Sequence, residues 1–300
     1  MNRYFDTHTH YNDPRFEEDL QEVLKGILEA GITETAVIGY DMASSLRGVR
    51  LAEGSGTGNA AGIDTGADAG ESAETGEGSG EAAGRNGISL RHVAAVGIHP
   101  LHTGEAEEED LIRLEILAED PVVRAIGEIG LDYHKKDREM SVDRELQQYF
   151  FRKQIRIARR ANLPVVIHSR DAAQDTLEIL EEEKASEVGG VIHCYSYSPE
   201  MAVRFTGLGF YLGIGGVVTY PASRRLRETV QKIPMERLVL ETDAPYLPIE
   251  GHRGERNDSR SLPEIAEAIA SLRHISVEEV CRVTRENAYR LYRMDPDGMM

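Results

Sequence analysis

The segment VVRAIGEIGLDY, residues 122–133, joins a short apolar run to a carboxylate that is flanked by glycines. The run over residues 122–126 is typical of a buried strand, and Glu128 follows it directly. A carboxylate among apolar neighbours is poorly solvated, so we expect Glu128 to have a raised pKa or to be paired with a cation. A salt bridge to an arginine is the alternative interpretation of this residue.

The same arrangement recurs along the chain, because other apolar runs also end in ionisable residues. The runs end at His8 and His10 in FDTHTH, at His168 in LPVVIHSRD, at His193 in GGVIHCY and at Asp243 in RLVLETDAP. Histidine and carboxylate are ordinary ligands of divalent metals. Because these residues and Glu128 all end predicted strands, the pattern predicts one metal centre that is assembled by the fold, and therefore a metal-dependent hydrolase.

The apolar runs alternate with amphipathic, charged stretches, which predicts alternating strands and helices. We predict strands at residues 3–7, 33–38, 92–96, 122–126, 164–167, 190–192, 210–214 and 238–240. We predict helices at residues 16–29, 107–119, 139–160, 172–183 and 223–231, with two more that begin near Leu262 and Val277. Eight strands alternating with helices favour an α/β fold in which a parallel sheet closes into a TIM (β/α)8 barrel, as a single domain over residues 1–300.

Residues 53–87 interrupt this alternation. The segment consists almost entirely of Gly, Ala, Ser, Thr, Asp and Glu, with little besides Ile63 that could anchor a core. Such a composition cannot offset the entropy of ordering a chain, so we predict a disordered acidic insertion between the second helix and the third strand. A mobile lid over the active site is the alternative interpretation.

The composition indicates a cytoplasmic protein. Hydrophobic residues make up 40% of the chain, and no stretch approaches the roughly 20 apolar residues of a membrane span. The first ten residues lack the basic region and apolar run of a signal peptide, so export is not expected. Cys194 and Cys281 are too few for a disulfide framework and are typical of a reducing compartment.

The formal net charge of −18 argues against a broad electrostatic surface for nucleic acid, because phosphates attract basic surfaces. It does not exclude a nuclease in which bound metals neutralise one or two phosphates locally. Adaptation to a cytoplasm of molar salt is a second interpretation of the acidic excess, since strong screening leaves little repulsion at such a surface.

Each predicted ligand has a competing structural interpretation. His8 and His10 lie two positions apart, which on a strand directs both side chains to the same face, but they could also simply cap the strand. A lone histidine such as His168 or His193 after a β-branched run is often a hydrogen-bonded core residue. Two of them on successive strands favour ligands, and the mouth of a barrel is where catalytic residues gather. Asp243 could instead be a helix N-cap.

Two further residues near these strand ends each have two interpretations. His99, in VGIHP, could line the pocket and bind substrate, or it could satisfy a backbone carbonyl. Cys194 lies beside His193, and strand alternation turns it to the other side, which predicts a small core residue and not a nucleophile. Five histidines have no such context and are interpreted as surface or packing residues: His92, His102, His134, His252 and His274.

The motifs FDTHTH, GIHP, GEIGLDY, IHSRDA, HCYS and ETDAPYL, in this order, resemble those of the TatD-type metal-dependent deoxyribonucleases of the amidohydrolase superfamily. The resemblance runs over residues 4–292, without the acidic insertion. It implies a TIM barrel with two divalent cations at its mouth. By position, the first metal would be held by His8, His10 and Asp243, the second by His168 and His193, and both by Glu128.

The chain departs from the family pattern at three places, one of which is the acidic insertion after the second helix. Tyr197 stands where the family usually has a glycine, so the loop over the second metal is expected to have a different shape. Residues 253–259, RGERNDS, carry an acid where the family has a base, and they lack its proline.

The resemblance implies a 3′-5′ exonuclease that cleaves phosphodiester bonds of single-stranded DNA or RNA ends with a metal-bridged hydroxide, with Asp243 as the base. Four imidazoles with two carboxylates suit Zn, Mn or Fe, although a weak, exchangeable site would also work with Mg. We expect no obligate protein partner. A metal-dependent ester or amide hydrolase, such as a D-aminoacyl-tRNA deacylase, is the alternative, and a non-catalytic metal-binding protein is a third interpretation.

Substrate contacts are predicted around the mouth. Arg170 could hold a phosphate bidentately, or it could form an ion pair with Asp171 at a helix start. Further candidates for contacts to the nucleic-acid backbone are Arg253, Arg256 and Asn257. Base stacking is one interpretation of three nearby aromatic residues, and packing between loops is the other: Tyr133, Tyr195 and Tyr246.

Overall fold

The computed structural model describes residues 2–56, 89–134 and 142–295, and eight strands within these ranges form one sheet. Each strand is parallel to its neighbours in the order of the chain, which confirms the predicted TIM barrel. The strands are β1 (Tyr4–Thr9), β2 (Ile32–Ile38), β3 (Arg91–Val96), β4 (Val123–Asp132), β5 (Val165–Arg170), β6 (Gly190–Ile192), β7 (Tyr211–Ile214) and β8 (Leu238–Leu240).

Hydrogen bonds between β1 and the segment after β8 close the barrel. The backbone N–H of Asp243 donates to the carbonyl of His8 over 3.0 Å, and that of His10 donates to the carbonyl of Ala244 over 2.7 Å. The first strand and the segment after the last strand therefore meet at the point where both carry ionisable side chains.

Helices follow the strands and cover the outside of the barrel. Within the described ranges they are α1 (Leu20–Glu29), α2 (Met42–Gly56), α3 (Glu108–Leu117), α4 (Arg144–Ala161), α5 (Ala173–Glu182), α6 (Pro199–Gly207), α7 (Arg224–Lys232), α8 (Leu262–Arg273) and α9 (Val277–Leu291). The amphipathic pattern did not single out α6. The start of α9 is as predicted, because Ser276 Oγ accepts the Glu279 N–H over 3.1 Å.

The end of α9 fills the amino-terminal side of the barrel. Phe5, at the start of β1, stacks on Tyr292 with ring centroids 5.7 Å apart. Glu34, near the start of β2, is ion-paired with Arg285 of α9 over 2.9 Å. Because α9 occupies this side, the carboxyl ends of the strands form the accessible side of the barrel.

Three strands extend further than predicted. β1, β4 and β5 continue through His8, Glu128 and His168, so these residues lie within strands and do not follow them. A Cβ on Gly127 would lie 2.5 Å from Val166 Cβ, and a Cβ on Gly130 would lie 1.9 Å from the His168 carbonyl oxygen. Glycine at both positions lets β4 approach β5 closely, which is why the sheet continues past the polar residue.

The predicted acidic insertion lies mostly outside the described residues. Helix α2 continues to Gly56, so the first positions assigned to the insertion are helical, and residues 57–88 are not among those described. Among the described helices, none combines the length and apolar character that crossing a bilayer requires.

Because His92 is buried, we expect the folded protein to lose stability in acid. Its Nδ1 lies 2.6 Å from Thr35 Oγ1, the residue is 6% exposed, and burial lowers its pKa to about 4. An unfolded histidine has a pKa near its ordinary value of about 6.5, so below that pH the unfolded chain binds a proton that the folded protein excludes. The stabilising effect of a neutral His92 is therefore complete above about pH 6.5 and is lost as the pH falls toward 4.

We expect this group to remove about 2 kcal/mol from the free energy of unfolding between about pH 7.5 and pH 5. Urea unfolding of the wild-type protein and of His92→Gln, both with excess chelator, measures the difference between their pH dependences. Parallel pH dependences for the two proteins would contradict the expectation.

Candidate metal centre

Five of the six predicted ligands surround one point at the carboxyl ends of the strands. His8 Nε2 and His10 Nε2 lie 3.2 Å apart, and they lie 3.5 and 3.7 Å from Glu128 Oε2. Asp243 Oδ1 lies 3.6 and 3.4 Å from the same two nitrogens. His193 Nε2 lies 3.6 Å from Asp243 Oδ1 and 3.9 Å from Glu128 Oε1. Donor atoms at such spacings fit around one small cation.

Glu128 lies between two groups of histidines. Its Oε2 faces the pair on β1, and its Oε1 lies 2.8 Å from His168 Nδ1 and 3.7 Å from His99 Nε2. The donor atoms of His99, Glu128 and His168 lie within 4.8 Å of one another, as do those of His8, His10 and Asp243. Imidazole nitrogen and carboxylate oxygen are suitable ligands for Zn, Mn or Fe, so the residues fit a divalent metal centre with Glu128 in its middle.

The charges of the centre compensate one another without a metal. Burial opposes the protonation of His168, but hydrogen bonds to Asp132 and Glu128 raise its pKa to about 9. Burial likewise opposes the protonation of His193, but the charges of Glu241 and Asp243 raise its pKa to about 10. Since imidazole must lose its proton to bind a cation, metal binding at neutral pH is expected to release protons.

His99 contributes to the centre as a neutral imidazole. Its Nδ1 accepts the Leu101 N–H over 3.2 Å, so the ring does not donate to a backbone carbonyl through this nitrogen. Burial, reinforced by His168, lowers its pKa to about 3. Of the two interpretations, the structure favours the one in which His99 lines the pocket, with Nε2 directed at Glu128.

Two carboxylates that sequence analysis missed contact the histidines of this centre. Asp132 Oδ2 lies 3.1 Å from His168 Nε2, and Glu241 Oε1 lies 3.0 Å from His193 Nδ1. Asp132 belongs to the motif GEIGLDY and Glu241 to the motif ETDAP. The position of an acidic residue in an apolar, buried stretch could have indicated both of them.

Cys194 differs from its prediction as a core residue. It is half-buried, and its backbone N–H donates to Glu241 Oε1 over 2.6 Å. Its φ of 45° lies in the left-handed region, and β6 ends at Ile192, so strand alternation does not determine its direction. Burial raises the pKa of its thiol well above the ordinary value, which agrees with the expectation that it is not a nucleophile.

Arg170 is placed at the mouth as predicted. It ends β5, its side chain is 48% exposed, and Nη1 lies 3.8 Å from Asp132 Oδ2. The alternative ion pair with Asp171 is not what the structure shows, because Asp171 Oδ2 lies 2.7 Å from His134 Nδ1. Arg170 thus presents an exposed guanidinium beside the His168 side of the centre.

The other predicted phosphate contacts have partners of their own. Arg256 Nη1 donates to Asp19 Oδ1 over 2.9 Å, and its guanidinium lies 4.7 Å from the Phe16 ring. Arg253 lies 3.3 Å from Glu250 and stacks over the Tyr220 ring at 4.2 Å. These contacts direct both arginines to neighbouring loops, and neither arginine joins the cluster of imidazoles and carboxylates described above.

Asn257 supports the loop that carries Asp243. Its Nδ2 donates to the carbonyls of Thr242 and Tyr246 over 2.9 and 2.8 Å, and the residue is buried. The amide therefore holds the backbone on both sides of Asp243 and is placed to orient it. The contact of Asn257 with substrate stays a prediction.

The three tyrosines near the mouth differ in exposure. Tyr246 is 44% exposed and its ring centroid lies 5.9 Å from that of His10, but the Arg15 guanidinium lies over the ring at 4.1 Å, so a stacking base would need the part of the ring that Arg15 leaves exposed. Tyr133 and Tyr195 are buried, which fits packing between loops. Tyr197, at the position where the family has glycine, places its hydroxyl 2.9 Å from Ser169 Oγ and thereby ties its loop to β5.

Comparison with known proteins gives consistent matches along the chain. The family model of TatD-related DNases matches residues 5–293. The uncharacterized metal-dependent hydrolase YabD of Bacillus subtilis is 34% identical over 291 residues, which cover 97% of this chain and 99% of the relative. The uncharacterized metal-dependent hydrolase YcfH of Escherichia coli K12 is 41% identical over 204 residues, 68% of this chain and 74% of the relative.

A solved structure agrees with these matches. The crystal structure of YjjV, a TatD homologue from Escherichia coli K12, superposes with a TM-score of 0.80 at 27% identity and covers 98% of this chain and 99% of its own. The family model extends over nearly the whole length, and the motifs that carry it place their ionisable residues around one point of the barrel. The chain therefore belongs to the TatD family of metal-dependent hydrolases.

Proposed function

We propose that this protein is a 3′-5′ exonuclease that hydrolyses phosphodiester bonds at single-stranded DNA ends, with RNA ends as a second substrate. The observation that carries the proposal is the position of Glu128 between two groups of imidazoles, with one carboxylate oxygen facing each group. Two divalent cations bound on either side would neutralise a phosphate and lower the pKa of a water between them. The two cysteines and the acidic surface fit a cytoplasmic location.

In this proposal, His8, His10 and Asp243 hold the first cation, His168 and His193 hold the second, and Glu128 contacts both. Asp243 accepts the proton of the attacking water, because its carboxylate adjoins the histidines of both groups. Its side chain is only 15% exposed, so few bulk water molecules compete for that oxygen.

Arg170 and Tyr246 bind the substrate strand in the proposed complex. The exposed guanidinium of Arg170 can hold two oxygens of a phosphate beside the second cation. The part of the Tyr246 ring that the Arg15 guanidinium leaves exposed, on the His10 side of the centre, can stack on the terminal base. Together they would position one nucleotide across the centre.

The test uses single-stranded DNA labelled at its 5′ end, with and without chelator, and a parallel aminoacyl-tRNA substrate. We expect a ladder of progressively shorter labelled products, because removal from the 3′ end retains the label, and we expect chelator to abolish it. A 3′ label should instead be released as mononucleotide. Deacylation of the tRNA without any DNA ladder, or inertness toward both substrates with metal bound, would contradict the proposal.

A further inference from the structure

The four imidazoles of the proposed centre differ in what their outward nitrogens contact. His168 Nε2 lies 3.1 Å from Asp132 Oδ2, and His193 Nδ1 lies 3.0 Å from Glu241 Oε1. On the other side of Glu128, His10 Nδ1 lies 2.9 Å from the carbonyl of Ile38. Among the described residues, neither His8 Nδ1 nor His193 Nδ1 makes a hydrogen bond; His193 Nδ1 nevertheless lies within ion-pair distance of Glu241, whereas His8 Nδ1 has no such partner. In the described part of the chain, carboxylates therefore face the outward nitrogens of the two histidines proposed for the second cation, and not those of His8 or His10.

The Glu241 side chain is buried and held in place by its neighbours. The residue is 1% exposed, and the Cys194 N–H donates to its Oε1 over 2.6 Å. A Cβ on Gly213 of β7 would lie 2.0 Å from Glu241 Oε2, so glycine at that position makes room for the carboxylate. Because a backbone donor and the neighbouring strand both fix the carboxylate, it can fix the His193 ring in turn.

Asp132 is held in a comparable way at the end of β4. Its backbone N–H donates to Gln147 Oε1 over 2.8 Å, and its Oδ1 accepts the His134 N–H over 2.9 Å. The other oxygen, Oδ2, is left to face His168 and, at 3.8 Å, the guanidinium of Arg170. One carboxylate thus contacts both a proposed ligand and the proposed phosphate-binding arginine.

The distribution of charge explains why the partners differ between the two sides. In the proposed assignment the first cation has a carboxylate ligand of its own, Asp243, whereas the second shares Glu128 and otherwise has neutral imidazoles. An imidazole that donates its outer N–H to a carboxylate is a more basic ligand and is fixed in one tautomer. The second cation would therefore have less negative charge among its own ligands, but the carboxylates of Asp132 and Glu241 supply negative charge next to two of those ligands.

We propose that Asp132 and Glu241 are positioning residues that orient His168 and His193 and supply the negative charge on which the affinity of the second cation depends. This inference rests on the two-metal assignment of the proposed function. It predicts that removing either charge weakens one of the two bound cations and leaves the other unchanged.

The experiment is a titration of the metal-free, full-length protein with Mn²⁺, followed by calorimetry and by counting bound ions. Glu241→Gln and Asp132→Asn keep the shape and an acceptor oxygen but remove the charge. We expect each to lower the affinity of one cation by about 10- to 100-fold, the range found for such outer partners, while the other affinity stays at the wild-type value. No enzymatic activity is needed for this readout.

Glu183→Gln is the matched control, because Glu183 is also a buried carboxylate but pairs with Arg156 on the outside of the barrel over 2.7 Å. It should leave both affinities unchanged. Gly213→Ala is an independent second variant, since the added Cβ displaces Glu241 without altering its charge, and it should reproduce the loss.

The outcomes separate this inference from the proposed function. If both cations bind to Glu241→Gln and to Asp132→Asn as tightly as to the wild type, the positioning role is wrong. The two-metal assignment would remain intact in that case. Equal weakening of both cations would also overturn the positioning role, because the effect would not be confined to one side. A wild-type protein that binds fewer than two cations would contradict the proposed function itself, and the inference with it.

Discussion

Asp243→Asn is expected to lower turnover by on the order of a thousandfold while the barrel and most of the bound metal are retained. Asp243 Oδ1 lies 3.4 to 3.6 Å from nitrogens of three histidines, so the side chain lies within the cluster where the proposed chemistry takes place. Asparagine keeps the size and one ligand oxygen of aspartate, but an amide does not accept the proton of the attacking water. The loss should therefore appear in kcat.

The fold should survive this change because the backbone of Asp243 makes the structural contacts. Its N–H donates to the His8 carbonyl, and its carbonyl accepts the Tyr246 N–H over 2.7 Å. Thermal unfolding and elemental analysis check fold and metal content alongside the kinetics. Asp120→Asn, in the loop before β4 at the opposite side of the barrel, is the matched control and should retain wild-type turnover. A near-normal kcat in Asp243→Asn would show that Asp243 is not the general base.

Glu128→Ala is expected to abolish measurable activity and to weaken both cations together, each by at least about 100-fold. The residue is buried, and its two oxygens face different groups of histidines, so both groups lose a ligand at once. This pattern differs from the one expected for Glu241→Gln, in which a single affinity changes. The same Mn²⁺ titration compares the two variants directly.

Removing this carboxylate also leaves protonated histidines without a counter-charge when metal is absent. We expect the metal-free variant to unfold at a lower temperature than the metal-free wild type for this reason. Glu109→Ala, on the exposed face of α3, is the control for loss of a carboxylate and should change neither affinity. Two tightly held cations in Glu128→Ala would show that Glu128 does not contact both.

The barrel could be predicted because its signals are local. Apolar runs of strand length alternate with amphipathic stretches, and a parallel sheet brings the carboxyl ends of its strands to one side. That geometry also explains why residues as distant in sequence as His10, Glu128 and His193 could be expected to converge. The structure brings them together, whereas their binding of metal stays a prediction.

Features that depend on contacts between distant segments could not be predicted. Asp132 and Glu241 are acids within apolar runs, and only the packing of β4 on β5, and of β7 between β6 and β8, shows that they face imidazoles. Arg256 belongs to a family segment, but its ion pair with Asp19 depends on where α1 begins. β4 is longer than predicted because the hydropathy pattern does not show the close approach of β4 to β5 that Gly127 permits.

The seam between β1 and the segment after β8 has a consequence for biosynthesis. The ribosome releases His8 long before it adds Asp243, and until then the free edge of β1 has no strand to join it. A nascent chain thus carries His8, His10 and Glu128 before it carries Asp243. The cluster of imidazoles and carboxylates at the mouth is therefore completed only after the residues that follow β8 have been translated.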